Sequence, residues 1–210
     1  MKQSHRSLFR VIAGHEQEAA GERLFFYGTD RELAQLASEF VRRGLEHGAA
    51  ILIVSAAHRA LVSTRLGSSG INTTRASRLH QYVTLEAARV AAELMANGKP
   101  QSPHFINAMG RVILQTGVDP VRIVLLNETG ACLYSQGKAS AALQAEELWN
   151  EVAARYRVSV VSAYPNRLFA RNHADKVALI QAAGAALEGD AGNQPQREPG
   201  SRGGGTGESD

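Results

Sequence analysis

The segment that most constrains the fold is Ala49–Ser55 (AAILIVS), an apolar run in which hydrophobic and polar residues do not alternate. A strand with one solvated face alternates, whereas a strand covered on both faces is apolar throughout, as in parallel sheets. Two later runs, Val121–Leu126 and Val158–Ala163, have the same character. The chain is therefore expected to bury a sheet between two layers of helices.

The segments between these runs have helical periodicity. After a short strand at Leu24–Tyr27, Thr29 and Glu32 form a capping box, and the residues that follow have apolar side chains at helical spacing. The pattern predicts one more strand at 79–83 and further helices at 58–66, 84–96, 103–116, 138–156 and 172–187. Strands that alternate with helices indicate an α/β fold with a mainly parallel sheet and helices on both faces.

The 210 residues suit one folded domain. We predict an N-terminal arm at 1–21, the domain at 22–187 and a disordered tail at 188–210. The tail holds seven of the 20 glycines, two of the six prolines and no aromatic residue, so it cannot bury enough apolar surface to offset its ordering entropy.

Composition argues against several classes of protein. The net charge is +3 and the basic residues are scattered, so direct nucleic-acid binding is not expected. The single cysteine, Cys132, excludes an internal disulfide and is interpreted as a small buried hydrophobe. No apolar run reaches the roughly 18 residues of a membrane span, and the start of the chain does not resemble a signal peptide. We expect a cytoplasmic protein that does not contact a membrane.

Ligands of parallel sheets bind beyond the carboxyl ends of the strands, which selects the loops after Tyr27, Leu126 and Ala163. The first loop is too short for a phosphate-binding loop and has no lysine. Asp30 and Glu32 also place negative charge in the first turn of the helix, where a phosphate would bind. The sequence therefore argues against a triphosphate site in this loop.

A second segment, Gly130–Ser140, resembles a phosphate-binding loop only superficially. Gly130 and Gly137 are two residues too far apart, and Ala139 stands where a serine or threonine would bind magnesium. We interpret the segment as a surface turn with Gly137 near a helix start. A nucleotide site that uses Lys138 remains the alternative.

Two carboxylates follow or face the predicted strands. Glu128 ends a hydrophobic strand, where it could contact a ligand or accept hydrogen bonds from backbone amides. Glu146 lies at the edge of an apolar helical stripe that contains Trp149, so it is either a boundary residue or a buried acceptor, and Trp149 is expected in the core.

The seven histidines include no pair three or four residues apart, and no nucleophile motif is present. We therefore expect no metal, no cofactor and no enzymatic activity.

Several short motifs recur in one order along the chain, and together they resemble the MEDS domain, the methanogen/methylotroph DcmR sensory domain. The resemblance runs from Leu24 to about Phe169. Its parts are Phe26-Tyr27, Phe40-Val41-x-x-Gly44-Leu45-x-x-Gly48, Gly70-Ile71-Asn72, Asn97-Gly98, Phe105, Glu128, Glu146-x-x-Trp149-Asn150 and Ala163-Tyr164-Pro165.

The resemblance implies a RecA/KaiC-like fold that has lost its phosphate-binding loop. It also implies a sensor module, since members occur fused to histidine kinases or DNA-binding domains and are proposed to recognise small hydrocarbon derivatives. The chain departs from the family pattern at Glu22, Asn127 and Ser162, where the family has His, Gly and Cys respectively.

We therefore predict a non-catalytic sensory or regulatory domain that binds a small organic ligand, a partner signalling protein, or both. The predicted site contains aromatic walls and two carboxylates that orient polar groups: Tyr27, Glu128, Glu146, Trp149 and Tyr164. Because no kinase or helix-turn-helix region is visible, the output partner is expected to be a separate histidine kinase or transcription regulator. Homo-oligomerisation stays open. The alternatives are a cryptic nucleotide-binding ATPase and a pure interaction adaptor that uses the exposed face of helix 138–156.

Overall fold

A computed structural model describes residues 24–95, 102–170 and 172–188, with side chains up to residue 183. It contains one sheet of five parallel strands in the order β1-β5-β4-β2-β3. The strands are β1 (Leu24–Tyr27), β2 (Ala49–Val54), β3 (Tyr82–Glu86), β4 (Ile123–Asn127) and β5 (Ser159–Pro165).

Eight α-helices surround the sheet in the described part of the chain, and short 3-10 turns precede β4 and follow β5. The helices are α1 (Asp30–His47), α2 (Ala56–Ser68), α3 (Thr73–Arg78), α4 (Ala87–Leu94), α5 (Ser102–Leu114), α6 (Thr129–Ser135), α7 (Ala139–Tyr156) and α8 (His173–Glu188). The 3-10 turns are Pro120–Arg122 and Asn166–Phe169.

The unpatterned apolar strand β2 is buried along its whole length, as expected. Its alternate side chains join two separate cores, since successive residues of a strand point to opposite faces. Ala49, Ile51 and Ile53 pack with the apolar faces of α4 to α7. The intervening residues of β2 pack with α1, α2 and α3. The prediction of an α/β fold with a parallel sheet and helices on both faces is confirmed.

The start of α1 has the predicted cap. The backbone N–H of Glu32 donates to Thr29 Oγ1 at 3.2 Å. Glu32 Oε2 in return accepts from the backbone N–H of Gly28 at 2.9 Å, one residue earlier than in the usual capping box. Asp30 and Glu32 lie in the first turn of the helix, as the sequence indicated.

Several elements differ from the prediction. The helix expected from residue 84 begins at Ala87, because residues 84–86 belong to β3, and the strand expected from Val121 begins at Ile123, after a 3-10 turn. Helix α3 was not predicted. The strand expected at 79–83 begins at Tyr82, because Leu79 caps α3 and His80 has a left-handed backbone with φ of 57°.

The interpretation of Gly130–Ser140 as a surface turn is wrong for its first half, because α6 occupies Thr129–Ser135 and buries Gly130. Gly137 does lie near a helix start, two residues before α7. Only a short connection with Gly137 at φ of 77° separates α6 from α7.

The predicted arm at 1–21 and tail at 188–210 lie outside the described residues, apart from the last residue of α8. Within the described ranges, none of the helices combines the length and hydrophobicity that spanning a membrane requires.

Candidate functional site

A cleft of about 340 Å³ opens at the carboxyl edge of the sheet. Every strand contributes to it through its last residue or the residue that follows: Tyr27, Ser55, Glu86, Glu128 and Pro165. Since the strands are parallel, their carboxyl ends meet at this edge. The topology therefore brings together residues that are far apart in sequence.

Glu128 forms the floor of the cleft and is 5% exposed. Its backbone N–H donates to the carbonyl of Ile53 at 2.8 Å, which ties it to the end of β2. Glu128 Oε1 accepts from the Tyr27 hydroxyl at 2.7 Å. Glu128 Oε2 accepts from the backbone N–H of Ser55 at 3.1 Å and lies 2.7 Å from His58 Nδ1. The carboxylate thus links β1, β4 and the start of α2.

His58 is placed by the cap of α2, because its backbone N–H donates to Ser55 Oγ at 3.2 Å. Its Nε2 lies 3.3 Å from Asp30 Oδ1, so each ring nitrogen faces a carboxylate. The hydrogen bond to Glu128 is the main cause that raises the pKa of His58. The geometry favours an imidazolium that donates from both nitrogens.

The other groups near the floor are held in their protonated forms. Burial and the neighbouring Glu128 raise the pKa of the Tyr27 hydroxyl, so it stays a hydrogen-bond donor. The ring of Tyr27 also contacts His58 edge to face, with centroids 6.0 Å apart. Burial raises the pKa of the Cys132 thiol, which lines the same cleft. A thiol in this state is a weak nucleophile.

Carboxylates occupy the helix starts that face the cleft. Glu86 Oε1 accepts from the backbone N–H of Ala56 at 3.1 Å, beside the bond from Ser55 to Glu128. Asp30 lies in the first turn of α1 and is 3.6 Å from Arg167 Nη1. At the start of α2, the amides of Ser55 and Ala56 are therefore already bonded to the chain's own acids and are not free for a phosphate. The remaining wall is largely apolar, with Ala57, Ala87, Ala88, Ala131, Pro165 and Leu168.

A second carboxylate, Glu146, lies in the interior beside α6. It is 3% exposed and accepts from the Tyr164 hydroxyl at 2.6 Å. Burial raises the pKa of Glu146 to about 7, against the opposing hydrogen bonds from Tyr164 and Ser162. Gly130 of α6 packs on this pair: a Cβ there would be 1.8 Å from the Tyr164 hydroxyl.

Two departures from the family pattern contact each other next to this pair. Asn127 Nδ2 donates to Ser162 Oγ at 3.0 Å, and Ser162 in turn bonds to Glu146. Asn127 Oδ1 accepts from the backbone N–H of Thr129 at 3.1 Å. The polar pair thus connects the end of β4 to β5 and α7.

The structure places the five predicted site residues in three locations. Tyr27 and Glu128 line the cleft and are hydrogen-bonded to each other. Glu146 and Tyr164 form the interior pair, outside the lining of the cleft. Trp149, the fifth predicted site residue, is 1% exposed and packs edge to face on Phe105 with centroids 5.1 Å apart, so it belongs to the core and not to the lining of the cleft.

Several residues that line the cleft were not predicted from the sequence. It considered three strand ends and left out those of β2 and β3, which supply Ser55, His58 and Glu86. The same strand-end rule, applied to the run that ends at Ser55, would have found them. Asp30 was considered only as a charge that repels phosphate, and nothing in the sequence placed Arg167 near it.

Within the residues described, no group of three or more His, Cys, Asp or Glu side chains is arranged to hold a metal ion. The apparent phosphate loop is replaced by α6, and Lys138 Nζ donates to Gln136 Oε1 at 3.0 Å. Searches of curated proteins and of solved structures found no match.

These features define the class: a parallel α/β domain with a strand-end cleft whose facing helix starts carry acids instead of a phosphate loop. The family model "MEDS: MEthanogen/methylotroph, DcmR Sensory domain" matches residues 23–183. The chain belongs to the MEDS family, and membership in a family of sensory domains indicates a sensory or regulatory role.

Proposed function

We propose that this chain is a non-catalytic sensory domain whose strand-end cleft binds a small organic molecule and whose output passes to a separate signalling protein. The proposal rests on the hydrogen bonds at the cleft floor, where the polar side chains are bonded to one another. Glu128 is engaged by Tyr27, Ser55 and His58, and His58 lies between two carboxylates. Three of the roughly four acceptor positions of the Glu128 carboxylate are therefore filled. An imidazolium at His58 has no free lone pair, so neither group is poised to act as a general base.

The lining supports a neutral or cationic organic ligand over an anion. Apolar side chains cover much of the wall, and a volume of about 340 Å³ falls in the range of small-molecule sites. Asp30, Glu86 and Glu128 line the cleft together with Arg167 and the His58 imidazolium, so the charge of the lining is weakly negative. A ligand that contacts Asp30 or His58 would act on the hydrogen bonds that join α1, α2 and β4.

The output partner is proposed to be a histidine kinase or a transcription regulator, on the strength of the family's sensory role. The adaptor alternative depends on the exposed face of α7. That helix packs against α5, α6 and α8 and buries most of its surface. Its exposed residues form a narrow, mostly polar stripe that includes Gln144, Glu147 and Glu151, so the rim of the cleft is the stronger candidate for a ligand-dependent contact.

A thermal-shift screen of small neutral and cationic organic compounds tests the proposal, with ligands that co-purify identified by mass spectrometry. Ala57→Trp fills the cleft from α2, and Ala60→Trp places the same side chain on an exposed position of α2 that does not line the cleft. We expect compounds that raise the melting temperature of wild type and of Ala60→Trp but not of Ala57→Trp. Equal shifts in both variants would place the binding elsewhere, and turnover of a bound compound would contradict the non-catalytic role.

A further inference from the structure

A second concavity, here called the edge groove, lies beside β3, the outermost strand of the sheet. It has a volume of about 490 Å³ and is bounded by α2, α3 and β3. Two arginines, Arg59 and Arg78, line it, and none of its lining residues in the described part of the chain is acidic. The rest of the lining consists of hydroxyl side chains: Ser63, Thr73, Thr74, Ser77, Tyr82 and Thr84.

The hydroxyl of Tyr82, in the lining of the groove, lacks a hydrogen-bond acceptor among the described residues. The residue is 5% exposed, and its hydroxyl is buried without a hydrogen-bond partner in the part of the chain that the structure describes. Leaving a buried hydroxyl unpaired destabilises the fold, because its hydrogen bonds to water are lost without replacement. Burial raises the pKa of Tyr82 to about 12 while the nearby Arg59 opposes the shift, so the hydroxyl is a donor that lacks an acceptor.

The two arginines are available for a ligand. Arg59 is half-exposed and reaches Glu86 only at 3.9 Å. Arg78 is exposed and makes no ion pair with any described residue. Guanidinium groups bind oxyanions through paired N–H donors, and the surrounding hydroxyls can donate to further oxygens.

We propose that the edge groove is an oxyanion site that binds phosphate, either free or as the phosphate group of a small monoester. Arg59 and Arg78 supply the charge, and the Tyr82 and threonine hydroxyls supply additional donors. The groove is a separate site from the strand-end cleft, and its existence does not rest on the ligand proposed there.

The groove and the cleft share one face of β3, because Tyr82, Thr84 and Glu86 alternate along the strand. Arg59 lies between them: it lines the groove and is paired with Glu86, which lines the cleft and accepts from the start of α2. A phosphate that attracts Arg59 would weaken its pairing with Glu86. Binding in the groove is therefore expected to change ligand affinity in the cleft.

Isothermal titration calorimetry of the full chain with inorganic phosphate, glycerol phosphate and succinate at constant ionic strength tests the site. We expect saturable binding of at least one phosphate compound, with succinate weaker. Tighter binding of glycerol phosphate would identify a monoester as the ligand, and tighter binding of phosphate would identify the free ion. Arg78→Gln should weaken binding at least about tenfold, since it removes a charge-assisted contact. Arg89→Gln is the matched control, because Arg89 is 81% exposed on α4 and lies outside the groove.

Tyr82→Phe is a second test, with opposite expected effects on stability and on phosphate binding. Without phosphate it should raise the melting temperature slightly or leave it unchanged, because it removes an unpaired buried hydroxyl. With phosphate it should weaken binding. The proposal is overturned if no phosphate compound saturates, or if Arg78→Gln and Arg89→Gln bind equally well. Neither result would bear on the cleft, which the Ala57→Trp comparison tests separately.

Discussion

Glu128, which follows β4, and Glu146, in α7, are two buried carboxylates with different surroundings. Both are nearly fully buried, and each accepts a hydrogen bond from a tyrosine hydroxyl, at 2.7 Å and 2.6 Å. Glu128 also has His58 and a backbone N–H as partners at the floor of a cleft. Among the described residues Glu146 has only neutral partners, and burial raises its pKa to about 7.

This difference in partners indicates why one buried carboxylate belongs to a ligand site and the other only accepts structural hydrogen bonds. A cationic partner and a backbone donor stabilise the charged form, whereas burial without a cationic partner favours the protonated form. Family resemblance placed both residues in one site. Their partners instead assign Glu128 to the cleft and Glu146 to the contact between α6, α7 and β5.

The largest expected effect is the loss of the charge at the cleft floor. In Glu128→Gln one carboxylate oxygen becomes an amide donor, which then faces donors from Tyr27 or from Ser55 and His58. We expect a loss of about 3 kcal/mol in the free energy of unfolding, as for other broken buried charge pairs. Urea denaturation measures it.

Glu146→Gln at pH 5 is the matched control, because it replaces a protonated carboxyl by an isosteric amide. We expect a change below about 1 kcal/mol. Equal losses in the two variants would mean that the two carboxylates do not differ in charge.

The next effect comes from the close packing behind Glu146. Gly130→Ala places a methyl group 1.8 Å from the buried Tyr164 hydroxyl and 2.7 Å from Glu146 Oε1. We expect overpacking to cost about 2 kcal/mol, measured by thermal or urea unfolding. Gly67→Ala on α2, where a Cβ meets nothing within 4 Å, should be neutral or stabilising. A neutral Gly130→Ala would show that α6 can move away from the interior pair.

The pH dependence of stability separates the carboxylates more finely. Glu146 has a higher pKa in the folded chain, about 7, than its ordinary value of 4.5, so the folded state binds the proton more tightly. The resulting stabilisation is present below pH 4.5 and is lost as the pH rises through about 7. Glu146→Gln should remove this loss, which amounts to about 1.4 kcal/mol for each unit of pKa shift. Parallel pH profiles for wild type and Glu146→Gln from pH 5 to 8 would contradict this.

The smallest effect concerns the titration of His58, which NMR can follow. Glu128→Gln should lower its pKa most, and Asp30→Asn less, because Asp30 is half-exposed and contributes less to the shift. The stabilisation from His58 is full below its ordinary pKa of 6.5 and is lost as the pH rises through the higher folded value. Glu147→Gln on the exposed face of α7 should leave it unchanged. A larger shift from Asp30→Asn would reverse the assigned order of the two carboxylates.

Local sequence patterns predicted most of the elements, because they report local energetics. The unbroken apolar run of β2 is buried on both faces, and Thr29 caps α1 as predicted. Predictions failed where local signals were weak. The segment from Thr129 to Ser135 contains glycine and small residues, and it forms a helix because it packs between the sheet and α7. β3 starts later than expected because a left-handed residue, His80, delays it.

The sequence by itself determined the class of fold, the acids in the first turn of α1 and the family to which the chain belongs. Only the tertiary structure decided which carboxylate has a charged partner. Glu128 and His58 are 70 residues apart and meet because β2 and β4 are adjacent parallel strands. Glu146 lies closer in sequence to Glu128 than His58 does, yet α7 carries it behind α6. Charge state depends on which groups surround a carboxylate, and strand order sets those neighbours.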